Sequence, residues 1–258
     1  MASVALNSSG KLTSAAVGTW SCLWTSAVLS LKAFRAAPFL LALVIVPEFA
    51  QHVAEISLGM FDSREAAMAV ANHPLRWAFG FAKIAGLVAA MLLTARFWAT
   101  GSVRAALRMP LPDLGRLLIA LALLFGSGAA LEWLGSASGV PLIKGVVTAI
   151  TWLSQAMLMV MVAGALLGDR EGWRSNLVAR IPTALLMLLV AAALFVPLQL
   201  LHGANHSWAF GQPAAVVWGL MLFDSLVVGL LASAVGAALF VTYRAGPTRD
   251  GWTRDPRW

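Results

Sequence analysis

Cysteine, charge and polar stretches are all scarce in this chain. Cys22 is the only cysteine of 258 residues, so no internal disulfide can form and no paired-cysteine metal or redox motif exists. Asp, Glu, Lys and Arg together make up 11% of the sequence. No polar stretch exceeds about 35 residues, too short to fold as a separate catalytic domain. A Walker-type phosphate loop and a GxSxG elbow are also missing. These absences leave no recognised catalytic constellation, and the chain reads as non-enzymatic.

What fills the sequence is apolar: 60% of residues are hydrophobic and the mean hydropathy is +0.83. They gather into six runs long enough to cross a bilayer, at residues 37–53, 77–99, 117–134, 146–167, 181–201 and 215–242. The expected fold is therefore all-α and integral to the membrane, with six transmembrane helices in three hairpins and interfacial amphipathic helices. Residues 1–35 form an N-terminal tail and interfacial helix, 36–246 the six-helix bundle, and 247–258 a basic tail.

The basic residues sort between alternate loops. Lys32 and Arg35, then Arg96, Arg104, Arg108 and Arg116, then Arg170, Arg174 and Arg180, then Arg244 and the arginines after it fall on one side of the six spans. The other side holds Arg64 and Arg76, with Lys144 near a span end. Cytoplasmic loops carry the Lys/Arg excess, so both termini are expected in the cytoplasm. The net charge of +7 then reflects juxtamembrane arginines facing anionic lipid headgroups. Membrane lipids and other membrane proteins are the expected partners; nucleic acid is not implied.

In residues 15–34, Trp20, Leu23, Trp24, Ala27, Leu31 and Phe34 recur at helical spacing on one face. That pattern predicts an amphipathic helix in the interface, anchored by Trp20 and Trp24, with a true span as the competing reading. Most other tryptophans fall at span ends, as an aromatic belt requires. Trp152 lies inside the fourth span with Gln155 three residues on, so both are expected on one interhelical surface. Gly229, Ser233 and Ala237 in the last span, and Gly86 and Ala90 in the second, form small-residue stripes that permit close helix approach.

The chain also repeats itself. Val46-Pro47 precedes His52 by the offset at which Val196-Pro197 precedes His202, and the spans that follow open on Trp77 and Trp218. A period of about 70 to 75 residues fits duplication of a helical hairpin in parallel orientation. The alternation of basic interfacial segments, such as Trp173-Arg174-Ser175-Asn176-Leu177, with apolar hairpins, and the terminal Leu239-Phe240-Val241-Thr242-Tyr243-Arg244, resemble bacterial six-helix membrane proteins related to the membrane domain of glycerophosphodiester phosphodiesterases. The resemblance implies a fold and an inner-membrane location, with no catalytic motif included.

Ionisable groups in hydrocarbon cost several kcal/mol unless paired or hydrated. Lys83 and Asp224 each lie six residues beyond the matching tryptophans, which suggests an ion pair across the bundle. Glu48, His52 and Glu55 share a helical face near the end of the first span. His52 and His202, at equal depth, offer two imidazoles of the kind that ligate haem or chlorin. No second ligand pair at defined spacing and no HExxH motif accompany them. The expectation is thus an interfacial polar face of Glu48, His52, Glu55 and His202, with no cofactor and no metal. His73 and His206 are expected in solvated outer loops.

Two functions follow as expectations. One is a scaffold, assembly factor or accessory subunit of a membrane complex. The other is a carrier or channel with a polar pathway near Lys83 and Asp224.

Overall fold

The computed structural model describes residues 3–137, 141–169 and 177–246. The Trp173-Arg174 segment and the basic tail 247–258 lie outside the described residues. The described secondary structure is helical: α1 (Ser3–Ala36), α2 (Pro38–Ser57), α3 (Arg64–Val70), α4 (Pro74–Thr100), α5 (Val103–Leu107), α6 (Leu111–Ala137), α7 (Pro141–Leu167), a 3-10 turn (Leu177–Arg180), α8 (Ile181–Ala209) and α9 (Ala214–Ala245). Six of them, α2, α4 and α6 to α9, are long and apolar enough to cross a membrane. The chain is an all-α multi-pass membrane protein.

Local chemistry sets the boundaries. Pro38 and Pro74 occupy first-turn positions, where a missing N–H costs nothing. Ser63 and Ser102 cap α3 and α5 by accepting from Ala66 N and Ala105 N, both at 3.1 Å. Gly101, at φ 74°, ends α4 in a left-handed conformation that glycine adopts without strain. Arg96, buried near that end, donates from Nε to the Ala106 carbonyl and from a terminal nitrogen to that of Arg108, at 3.0 and 2.8 Å. The guanidinium thereby satisfies backbone acceptors of the short α5.

Among the described residues, packing gives two units, one within 1–109 and 190–240 and the other within 110–189 and 241–258. In the first unit, α9 is almost wholly buried, and its small residues are where the neighbouring helices come close. At Gly229 a Cβ would meet Ile45 of α2, and at Gly236 it would meet the Met91 carbonyl and Thr94 of α4. Gly86 of α4 lies so near the Leu43 carbonyl of α2 that no side chain fits. The small-residue stripes thus pack helices of this same chain. Val44, Ala90, Val228 and Ala232 form the apolar layer between α2, α4 and α9.

In α1, the apolar face read from the sequence is turned outward: Trp20, Trp24 and Leu31 are exposed, and Cys22, Ser26, Ser30 and Ala33 are buried. Ser233 Oγ of α9 donates to the Ser30 carbonyl at 3.1 Å. The small and hydroxyl-bearing face therefore makes the protein contact.

In the second unit, α6 and α7 pair, and Gln155 Nε2 donates to Leu124 O at 3.0 Å and reaches Ser127 Oγ at 3.2 Å. Trp152 does not share that surface; it is exposed. Tyr243 donates its hydroxyl proton to Asp169 and accepts from Arg180 at 3.0 Å.

Candidate functional site

Polar groups from four helices of the first unit converge on His52. Its Nε2 lies 3.2 Å from Glu48 Oε1 and 3.1 Å from Asp224 Oδ2, and its Nδ1 lies 3.1 Å from Glu55 Oε2. Three carboxylates thus surround one imidazole, and all four side chains are fully buried. The i, i+4, i+7 spacing of Glu48, His52 and Glu55 directs them to one face of α2, as the sequence indicates. That face points into the protein rather than to the interface. The expectation of an interfacial polar face is corrected accordingly: an outward orientation would have placed these residues against lipid.

Two basic groups of α4 close one side. Lys83 Nζ stands 3.2 Å from Glu48 Oε2, and Arg76 Nε donates to Glu55 Oε1 at 2.8 Å, an oxygen that also accepts from Gln51 Nε2 at 2.8 Å. From α8, His202 Nδ1 lies 2.7 Å from Asp224 Oδ2 and Asn205 Nδ2 donates to Asp224 Oδ1 at 2.8 Å. His206 Nε2 stands 3.5 Å from Asp224 Oδ2 and is buried without a hydrogen-bond partner.

The direct Lys83–Asp224 pair is therefore corrected. Lys83 is taken by Glu48, Asp224 by three histidines and Asn205, and the two connect through Glu48 and His52. Repeat offsets place the two residues at matching levels of their helices, but they do not fix which way each side chain turns around its helix axis. The repeat does carry one relation into the structure: its matching histidines, His52 and His202, both address Asp224 Oδ2.

His206 departs from expectation as well. It is not in a solvated loop, because α8 continues to Ala209, and its ring sits 5.1 Å from that of His52 and 5.0 Å from that of His202. His202 and His206 at i, i+4 form a visible same-face pair, and that spacing was the available signal for it. Gln51 shares the face of Glu48 and Glu55, the latter by the same i, i+4 spacing, whereas Asn205 and Arg76 carry no such signal. By contrast, His73 does lie outside the cluster, where Nδ1 caps α4 by accepting from Leu75 N at 3.3 Å.

The site is closed at one end. Asp224 is ten residues into α9, about 15 Å along the helix at 1.5 Å per residue, while Glu55, Arg76 and His206 lie within three residues of the ends of α2, α4 and α8. Beyond the cluster, Met60, Phe61, Ala209, Val217 and Met221 form an apolar plug, with the Phe61 ring 5.8 Å from His206. Gly211 N donates to Phe61 O at 2.8 Å and ties the loop after α2 to the α8–α9 turn. Counted as ionised groups, the three carboxylates outnumber Lys83 and Arg76 by one. Such an arrangement suits holding a small cation away from water.

Comparison with protein-family models, curated proteins and solved structures finds no match for this chain. The site is therefore read from its own chemistry.

Proposed function

We propose that this chain is a non-enzymatic carrier of the bacterial inner membrane, with both termini in the cytoplasm, that handles a small cation at the His52-centred cluster. One observation carries the reading: Glu48, Glu55 and Asp224, all fully buried, meet three histidines between apolar helices long enough to span a membrane, with an excess of negative over fixed positive charge. A pair that only fixed helix register would need one acid and one base. The location draws on the sorting of basic loops and on the resemblance noted from sequence. The test is flux: purified protein in proteoliposomes loaded with cation-sensitive dyes should pass a cation faster than protein-free vesicles. Equal rates for protons, alkali cations and divalent metals with and without protein would overturn the reading.

A second reading, as accessory subunit of a membrane complex, is favoured by the α6–α7 hairpin, which leaves Leu123, Phe125, Ile150 and Trp152 exposed. Extraction in mild detergent as a stable larger complex with a second membrane protein would support it.

A further inference from the structure

We propose that the cluster contains a binding site for one divalent transition-metal ion, Zn²⁺ fitting best, with Glu48, His202, His206 and Asp224 as ligands. This deepens the carrier reading and rests on it for its biological sense, though binding itself is measured independently. One ligand atom from each of these four side chains lies within 4.8 Å of every other. A tetrahedral zinc centre with bonds of about 2.0 to 2.2 Å has ligand-to-ligand edges of about 3.4 Å. The four atoms therefore need to move by about an ångström or less to enclose the ion. Two imidazoles and two carboxylates form a donor set suited to zinc rather than to calcium or magnesium, which take oxygen ligands.

The surroundings are those of a supported metal centre. His206 Nε2 is buried with no hydrogen bond, and the carboxylate oxygen it faces is the proposed co-ligand Asp224 Oδ2, at 3.5 Å. Asn205 holds the second oxygen of Asp224 at 2.8 Å. Groups of this kind orient ligands from the outer shell. His206 also belongs to a second close group with His52 and Glu55, but that group offers only three ligand atoms, and Arg76 and Gln51 hold the other oxygen of Glu55. Lys83 and His52 oppose the ion, since the ammonium stands beside Glu48 and the imidazole reaches oxygens of Glu48 and Asp224. That competition gives the proposal a variant with the opposite sign.

The experiment uses full-length protein in detergent, stripped with chelator and titrated with Zn²⁺ alone, then with Co²⁺ followed by visible absorption. The expected result is one ion per chain, with intense Co²⁺ bands of tetrahedral coordination. Asp224→Asn and His206→Gln should each weaken binding at least tenfold, His73→Asn should leave it unchanged, and Lys83→Met should tighten it. No binding to the wild-type chain, or binding that survives in both ligand variants, overturns the site. If the ligand variants aggregate, the wild-type Co²⁺ spectrum decides: octahedral, weak bands overturn the tetrahedral set, and Lys83→Met failing to tighten binding removes Glu48 from it. Zinc bound in detergent without flux of any cation in vesicles would leave the site standing and remove the carrier reading. Flux of another cation without zinc binding would do the reverse.

Discussion

Lys83 and Glu48 should be energetically coupled more strongly than Lys83 and Asp224. At 3.2 Å, two unit charges attract by about 5 kcal/mol with an effective dielectric constant of about 20. The pair is incompletely enclosed, since the Lys83 side chain is 21% exposed while that of Glu48 is fully buried, and Glu48 shares its charge with His52. A coupling of about 1 to 3 kcal/mol is therefore expected from the cycle of Lys83→Met, Glu48→Gln and the double variant. Each single change leaves a charge poorly compensated, so the double should be less harmed than the singles predict. In the cycle with Asp224→Asn, two residues, Glu48 and His52, intervene, and the coupling should fall below about 1 kcal/mol. Reversible unfolding by SDS in mixed micelles, followed by tryptophan fluorescence, gives these free energies; thermal aggregation only ranks variants. A Lys83–Asp224 coupling equal to or above that of Lys83–Glu48 would refute the connectivity.

Other expectations are as direct. Gly86→Leu should lower the yield of folded protein, since the side chain meets the Leu43 backbone; overpacking costs about 1 to 3 kcal/mol where neighbours can shift, and backbone cannot readily do so. Normal yield and stability would contradict that contact. Burial raises the Cys22 thiol above its ordinary pKa, so at neutral pH it stays a thiol, and maleimide should label it slowly until SDS exposes it. On a Cys22→Ser background, Arg104→Cys should label from the cytoplasmic side and Gln212→Cys from the opposite side; labelling of both from one side would end the six-span topology. Quenching of Trp24 by lipid-borne quenchers should report headgroup depth if α1 lies in the interface, and midplane depth would make it a seventh span.

The six long helices were legible because membrane insertion leaves a strong mark on composition: apolar runs follow from the solvent, not from details of packing. Span ends were less legible where polar residues serve the interior. The apolar run containing residues 181–201 stops at His202, yet α8 runs eight residues further than that reading, to Ala209, because Asn205 and His206 turn inward to Asp224. The spacing of Trp20 and Trp24 marked one face of α1 in the sequence, but the opposite face, where Ser26, Ser30 and Ala33 are buried, carries small residues with no apolar signal of their own. Within the site, the helical face of Glu48, His52 and Glu55 was visible from spacing. Its convergence with Asp224 was not, because partner choice depends on how four helices are rotated about their axes.

The measurement that bears most directly on the central claim compares cation flux by wild-type protein and Asp224→Asn in proteoliposomes at matched amounts of folded protein. Asp224 binds His52, His202 and Asn205 at once, so the neutral amide should reduce flux at least tenfold while Gln155→Leu, in the second unit, leaves it unchanged. Wild-type flux that persists in folded Asp224→Asn would contradict the assignment of this cluster as the working site.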